Sequence, residues 1–511
     1  MLPLGILAVR KFLCFLLWST IVFVTLVILF YVEEDLRGAR AWAKEKSALE
    51  AVGETLDASR FVPPPIPDAQ NFGSLPLYQL TTNPEPNYPS PYPVALRKAF
   101  DRVVTYEWLT RESTKRAGSF PYLGKWQEGE RPDLPAIQSK LSQLYREKLP
   151  SIKIPSDLKS TELYDLLCPA LGDLRAANGS HPLCRFARGE EIQNSWNVSF
   201  LLARGLMDLG PVLSYQERLA LLDNQPGIAL ADMQVGWKIA SGLLESEVRE
   251  ITAEQLDGIN EGLERHSWND QQLVVLDDDL GKIDLLSLYR LEVRGQFACS
   301  IIPALDHFRA DRYWLWDRRG TYEPPWGYRL FFQFVPNGWV DELKATYTKY
   351  FLFEAIHTVD SASRRVFPNK EENPPSSSPG SDPRGLGPPY DMWPEELTWS
   401  LYHRHGDFMQ MAYTQVQIDQ ARIACWLERY YLAHDEYPAA LDSLVPSYGS
   451  DLPHDIMNGE PFHYKLMGNG KYRLYSVGWN LKDDKGETGM YRNLQSPDWV
   501  WANYPDLEST K

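Results

Sequence analysis

The sequence lacks the motifs that most often reveal an enzyme. It contains no G-x-S-x-G, no H-E-x-x-H, no C-x-x-C and no glycine-rich phosphate loop. Each of these motifs places a nucleophile, a metal ligand or backbone N–H groups at a fixed spacing. The nine histidines also show no spacing typical of zinc ligands. The sequence therefore predicts no catalytic residue and no cofactor-binding residue.

Basic residues are in the minority. The chain has 52 Lys and Arg against 68 Asp and Glu, which gives a net charge of −16. Binding to a phosphate backbone depends on clustered Lys and Arg that displace counterions. We therefore expect no nucleic-acid partner, and a well-solvated acidic surface.

Cysteine is also scarce, because five residues are too few for a disulfide scaffold. Cys299 and Cys425 fall in apolar helical patterns typical of inert core thiols. Cys168 and Cys184 lie 16 residues apart in a loop-rich stretch. They are a candidate disulfide if this part of the chain is outside the cytoplasm.

The most informative feature present is an uncharged apolar run over residues 12–32. At about 1.5 Å per helical residue it is roughly 30 Å long, which matches the hydrocarbon core of a bilayer. It has no polar stripe of the kind that a surface helix of a soluble protein shows. The run predicts a transmembrane helix, with the lipid bilayer as its partner.

The orientation of this helix is less directly encoded. Arg10 and Lys11 precede it, whereas four basic residues follow within 37–46. The Lys and Arg count alone slightly favours a cytoplasmic body, but the rule is weak for long translocated domains. A short basic amino terminus before an apolar run is typical of a signal anchor. We therefore expect a cytoplasmic amino terminus and an extracytoplasmic body.

The remaining sequence predicts a multidomain, mainly α-helical protein. A proline cluster at 63–67 ends the first helical stretch, because proline cannot donate a helical hydrogen bond. A stretch rich in Pro, Ser and Gly at 373–389 has almost no apolar content, which is typical of a linker. The expected order is a cytoplasmic segment (1–11), the transmembrane helix (12–32), a helical stalk (33–55), a Pro-rich extended segment (56–134), a bundle-like or solenoid-like helical domain (135–367), a disordered linker (368–391) and a small α+β module (392–511).

Within the helical domain two starts can be placed. Thr252 with Gln255, and Ser267 with Asp270, have the spacing of a capping box, in which side chains satisfy the first free N–H groups of a helix. The two helices are expected to form an antiparallel hairpin around His266.

The carboxyl-terminal module begins with a predicted long helix over 408–434. Its apolar residues occupy two sides, which is typical of a helix covered by other elements. The runs 461–467 and 472–477 alternate as strands do, and Gly468, Asn469 and Gly470 between them predict a β-hairpin. We expect the long helix to lie on a small antiparallel sheet.

Several stretches resemble a family of large, single-pass, membrane-anchored bacterial proteins that have no assigned activity. In the module these stretches are 428–446, 452–455, 458–464, 474–480 and 482–486. Two earlier ones are 37–72 and 260–273. The module is also similar in outline to the globular part of type II secretion major pseudopilins, which share the long helix, the Tyr-Pro turn, the hairpin and the Ser-x-Gly loop.

The pseudopilin resemblance has two consequences. Such modules often hold calcium in the closing loop, which implies a site at Asn480, Asp483 and Asp484, and Ca²⁺ binds clustered oxygen ligands of this kind. The chain lacks the Gly-Phe junction and early Glu that pilin processing and filament packing require. This departure indicates a borrowed module and disfavours a pilus subunit.

The expected function is a structural or interaction scaffold that binds another envelope protein. An envelope hydrolase acting on glycans is an alternative, based on 17 Trp, 27 Tyr and many carboxylates. An atypical component of a secretion system, related to pseudopilins, is a second alternative. No glycosidase pair is nominated, because sequence cannot place two carboxyls at the required separation.

Overall fold

The computed structural model of the chain describes residues 4–61, 64–78, 133–148, 158–186, 206, 209–243, 245–312, 326–351, 357–368, 404–468, 470–487 and 497–501. Over these residues the protein is mainly helical, as predicted, with one long apolar amino-terminal helix and a small antiparallel sheet near the carboxyl end. Most of the predicted Pro-rich segment (56–134), nearly all of the linker (368–391) and the last ten residues lie outside the described ranges.

The helices and strands are named here in chain order. The α-helices are α1 (Leu4–Ala51), α2 (Leu134–Lys148), α3 (Ser160–Leu167), α4 (Ala170–Ser180), α5 (Leu209–Leu222), α6 (Pro226–Ala240), α7 (Glu245–Glu264), α8 (Asp270–Gly281), α9 (Leu285–Gln296), α10 (Ile302–Ala310), α11 (Trp326–Gln333), α12 (Asn337–Phe351) and α13 (Arg404–His434). The strands are β1 (Val359–Asp360), β2 (Arg365–Val366), β3 (His463–Gly468), β4 (Lys471–Ser476) and β5 (Trp499–Val500).

The chain divides into two compact units that do not follow chain order. The described residues of unit 1 come from 4–61 and 293–357, and those of unit 2 come from 64–292, 358–368 and 404–501. Unit 2 combines residues of the expected helical domain with residues of the expected carboxyl-terminal module, because α13 packs against helices that precede it by more than a hundred residues. The expected domain division stays a prediction.

Helix α1 runs unbroken from Leu4 to Ala51, so no structural break separates the predicted span 12–32 from the predicted stalk 33–55. The apolar first part is exposed over residues 12–30 and at Val32, and Tyr31 is half-buried. Beyond it, Glu34, Glu45 and Leu49 are buried. The second part of α1 is therefore docked along unit 1.

Its partner in unit 1 is α12, and the two helices meet at a pair of glycines. A Cβ atom on Gly38 would overlap the carbonyl oxygen of Gly338, and a Cβ on Gly338 would overlap the carbonyl oxygen of Glu34. Only glycine allows two helix backbones to approach this closely. The Gly338 N–H donates to Asp35 Oδ1 at 2.7 Å, which ties the start of α12 to α1.

The polar pairs along this contact show that α1 and α12 run parallel. Trp339 Nε1 donates to Glu34 at 2.7 Å, and Arg37 Nε donates to Glu342 at 2.7 Å. Further along both helices, Glu45 lies 3.7 Å from Lys349 Nζ. Residue numbers therefore rise together on the two helices, so the amino end of α12 lies beside the residues that follow the apolar span.

The core of unit 2 is organised around α13. Helices α7 and α8 both pack on α13, β4 contacts it as well, and the middle of the helix is buried on both predicted sides, including Ala421, Ile423, Cys425 and Leu427. The two-sided apolar pattern is thus explained. Leu432 departs from that pattern, since it is exposed near the end of the helix.

Neither predicted capping residue caps its helix. The cap of α8 is Asn269, two residues after the expected Ser267: its side chain accepts from the Gln272 N–H at 2.9 Å, and the Gln272 side chain accepts from the Asn269 N–H at 3.0 Å. The start at Thr252 is wrong, because α7 begins at Glu245 and Thr252 is fully buried inside it.

The predicted β-hairpin is confirmed. Strands β3 and β4 pair antiparallel, and β5 extends the sheet through Tyr475 and Val500. Gly468 and Gly470 have φ values of +83° and +69°, a region that favours glycine. A second, two-stranded sheet joins β1 to β2.

We predict that Gly38→Ala destabilises unit 1 by about 1–3 kcal/mol, because the added methyl group overpacks a backbone contact. Thermal unfolding in detergent micelles measures the loss. Gly172→Ala in α4 is the matched control, since a Cβ there meets no atom within 4 Å. An unchanged melting temperature for Gly38→Ala would show that the two helices do not approach this closely.

Candidate functional site

A group of buried charged residues lies among helices α3 to α6 in unit 2. Arg175 Nε and its terminal nitrogen donate to the two carboxyl oxygens of Asp232 at 2.6 and 2.9 Å. The same guanidinium donates to Asp165 at 3.0 Å. Burial raises the pKa of Asp232 to about 6, and the Arg175 contacts oppose that rise. The fork geometry makes this a rigid ion pair.

Glu217 on α5 is a second buried carboxyl, and it has no such partner. It is fully buried, and neither of its carboxyl oxygens accepts a hydrogen bond of ordinary geometry from the described residues. Burial and the nearby Asp232 charge raise the pKa of Glu217 well above its usual range, and the Gln255 amide opposes the rise only in part. Burial therefore favours the protonated, neutral form of the Glu217 carboxyl.

The burial of this cluster limits the reactions in which its carboxyl groups can take part. A strongly perturbed carboxyl pair is a common mark of an active site when it lines a cleft. Here Glu217 and Asp232 are fully shielded from solvent, so neither side chain meets a soluble substrate in this state. The consequence that follows directly is for stability, because the folded chain binds a proton that the unfolded chain releases.

A second cluster joins the α7–α8 connection to the end of α13. His266 Nδ1 lies 2.7 Å from Glu428 Oε1, and the Tyr437 hydroxyl donates to Glu428 Oε2 at 3.2 Å. The imidazole stacks on Tyr431 with ring centroids 4.6 Å apart. Burial raises the pKa of Glu428, and the His266 and Tyr437 bonds oppose that rise.

Sequence reasoning missed this cluster, because its members are separated by about 160 positions and no motif links them. A carboxylate that orients a half-exposed imidazole is a suitable arrangement for proton transfer. The same contacts also hold His266 at a positive φ of 50°, where the chain turns between α7 and α8. In this structure His266 therefore attaches the α7–α8 turn to α13 through its contact with Glu428.

A groove of about 390 Å³ lies beside the β1–β2 hairpin in unit 2 and is lined by Ser363, Arg365, Leu452, Pro453, His454, Gly459 and Pro461. Two of its polar groups are engaged elsewhere: the Ser363 hydroxyl donates to Asp360 at 2.6 Å, and His454 Nε2 lies 3.3 Å from the Arg364 carbonyl oxygen. Ser363 and His454 therefore do not form a nucleophile–base pair in this arrangement. The groove presents one cation, Arg365, stacked over Phe367.

The residues of the predicted calcium site lie together in the loop after β4, but they bind the loop itself. Asn480 Nδ2 donates to Asp484 at 2.8 Å, and Asn480 Oδ1 accepts the Lys482 N–H at 2.9 Å. Asp483 accepts the Lys485 N–H at 2.8 Å, and this bond lowers the pKa of Asp483.

Asp498, which the sequence analysis did not select, completes this loop. Its carboxylate accepts the N–H groups of Asp484 and Gly486 at 3.3 and 2.6 Å. Over the described ranges, no group of three or more His, Cys, Asp or Glu side chains is placed to hold a metal ion. The loop is thus closed by protein hydrogen bonds, and the calcium site stays a prediction.

Cys168 and Cys184, the predicted disulfide pair, are buried and both are free thiols in the structure. Cys168 ends α3 beside Asp165, whereas Cys184 lies in a loop near Gly73 and Lys238. Burial raises the pKa of each thiol to about 12. At neutral pH both thiols are therefore protonated and unreactive.

Comparison with known proteins found no match to a protein family, a curated protein or a solved structure. The resemblances to the membrane-anchored bacterial family and to pseudopilins therefore stay predictions. The site described here rests on its own geometry.

We predict that Glu217→Gln flattens the pH dependence of stability. In the native chain the pKa of Glu217 is higher in the folded state than in the unfolded state, where it is about 4.5. Its contribution to the free energy of unfolding therefore falls as the pH rises above about 4.5, by up to about 1.4 kcal/mol per pH unit. Gln carries no proton equilibrium, so the variant gains stability relative to the native chain as the pH rises above the unfolded pKa of about 4.5. Urea unfolding followed by tryptophan fluorescence measures this.

Glu436→Gln is the control for this test, because Glu436 is exposed. It should leave the pH profile unchanged. Equal slopes for the native chain and the Glu217→Gln variant would contradict a protonated Glu217 in the folded core.

We predict that iodoacetamide leaves Cys168 and Cys184 unmodified in the folded chain at about pH 8, because a thiol with a pKa near 12 is almost never ionised there. After unfolding without a reductant, both should be alkylated, as mass spectrometry of peptides would show. If alkylation of the two required a reductant, the disulfide expected from the sequence would be present instead.

Proposed function

We propose that this protein is a single-pass membrane protein whose body serves as a structural or interaction scaffold. The observation that carries the proposal is the contrast within α1. Its polar second part is packed on α12, whereas the apolar residues 12–30 are exposed, with Phe15, Trp18 and Phe23 each more than 60% accessible. One continuous helix thus has a docked half and an uncovered half.

The uncovered half needs an apolar surrounding. Each Å² of apolar surface left in water costs about 25 cal/mol, so a bare helix of this size would drive aggregation in water. The hydrocarbon core of a bilayer matches the length of this uncovered half. Within it a helix needs no other protein element, because its backbone N–H and C=O groups are hydrogen-bonded to each other. This reasoning supports the membrane as the surrounding medium. We propose that the amino terminus lies in the cytoplasm and the body outside, because a short basic amino terminus before an apolar run is typical of a signal anchor.

The scaffold half of the proposal is supported by how the charged groups of unit 2 are used. Arg175, Glu428 and Asp483 each hold parts of the fold together. Glycan hydrolysis requires two carboxyls that face each other across an accessible cleft, and the carboxyls described above are closed off or engaged. We propose another envelope protein as the partner. The hydrolase and secretion-component alternatives have no specific observation in their favour.

We predict that Val22→Arg combined with Leu26→Arg moves the chain out of the membrane fraction after alkaline carbonate extraction. Each central arginine costs about 2.5–3.5 kcal/mol on insertion scales. Val52→Arg, at an exposed site outside the span, is the matched control and should remain in the membrane pellet. A reporter fused after Lys511 should be active only outside the cytoplasm.

Retention of the double variant in the pellet would contradict a spanning role for residues 12–32. The partner is tested separately by crosslinking in intact cells, followed by a pull-down of the full chain from solubilised membranes. Failure to enrich any envelope protein over a control bait of equal membrane topology would count against the scaffold.

A further inference from the structure

A short amphipathic segment of unit 1, made of α11 and the following residue Phe334, lies beside the end of the apolar span. The Tyr31 hydroxyl donates a hydrogen bond to the carbonyl oxygen of Phe334. Tyr31 is the penultimate residue of the predicted span. The contact therefore places Phe334 level with the point where α1 leaves its apolar stretch.

The direction of α12 supports the same placement. Because α12 runs parallel to α1 and begins opposite Glu34, its amino end is its membrane-proximal end. Helix α11 ends only a few residues before α12 begins. The segment thus lies on the side of unit 1 from which the span emerges.

The segment has one face in the protein and one face uncovered. Phe332 is buried against Phe308, with ring centroids 5.7 Å apart, and Val335, the residue after the segment, is buried as well. Leu330 and Phe334, four residues apart, are 49% and 65% exposed. Two large apolar side chains therefore point away from unit 1 at the height of the span's end.

We propose that Leu330 and Phe334 insert into the interfacial layer of the same bilayer that residues 12–32 cross. An amphipathic helix at a membrane surface buries its apolar side chains at the boundary between headgroups and acyl chains. Tyrosine, as at Tyr31, is enriched at this depth, and Phe and Leu are typical of the apolar face of an interfacial helix. The inference rests on the proposed membrane anchor, and it adds a second lipid contact that fixes unit 1 against the bilayer surface.

Site-specific photocrosslinking tests this insertion. The full chain is reconstituted in phospholipid nanodiscs, with p-benzoylphenylalanine in place of Phe334, Leu26 or Val52, one site at a time. The probe keeps an aromatic ring at an exposed position, and circular dichroism checks that each chain is folded. Lipid adducts are then detected by peptide mass spectrometry.

Adducts at Phe334 and Leu26, and none at Val52, are the expected result. Val52 is a matched site because it is also exposed on unit 1, about 30 Å along α1 from the end of the span. Adducts at Leu26 without any at Phe334 would overturn the inference and leave the anchor intact. A protein adduct at Phe334, to a second copy or to another chain, would also overturn it, and no lipid adduct at Leu26 would overturn the anchor itself.

Discussion

The backbone contact between Gly38 and Gly338 is the constraint on which unit 1 depends. It brings α1 and α12 close enough for Glu34 to reach Trp339, and for Arg37 to reach Glu342. A side chain at either glycine would hold the helices apart and break these bonds together. Because the contact begins just beyond the apolar span, it also joins the apolar part of α1 to the rest of unit 1 through one continuous helix.

The packing of unit 2 depends on a different kind of interaction, in which buried polar groups lie between helices that are covered on several sides. Glu428 and Asp419 on α13 are almost fully buried, and each has a long-range partner, in His266 and Arg364. Glu217 is the exception, since among the described residues neither of its carboxyl oxygens accepts a hydrogen bond of ordinary geometry and only the Gln255 amide opposes the rise of its pKa. A buried polar group that loses its hydrogen-bonding partner destabilises the folded state, so these pairs favour one packing of the helices over others. Glu217 instead makes the free energy of unfolding depend on pH.

Local features of the fold were readable from local sequence. The apolar run of α1 and the β3–β4 turn at Gly468 and Gly470 each depend on residues a few positions apart. The cap of α8 was placed at Ser267, two residues before the observed Asn269. The start of α7 was misplaced, because Thr252 has the residue pattern of a cap and yet is buried within a longer helix. The His266–Glu428 contact was not predicted, since nothing local marks two residues that meet only after α13 packs on α7 and α8.

The sequence by itself determined which segments are apolar, which part of α1 favours an apolar environment, and which helix has apolar side chains on two sides that favour burial. These properties follow from side-chain chemistry and helical periodicity, which act over one or two turns. Only the tertiary structure decided what provides that cover: α12 for the second part of α1, and α7, α8 and β4 for α13. These partners are decided by close packing between segments far apart in the chain. An apolar pattern alone is compatible with many packing partners, and side-chain shape and charge decide which one is used.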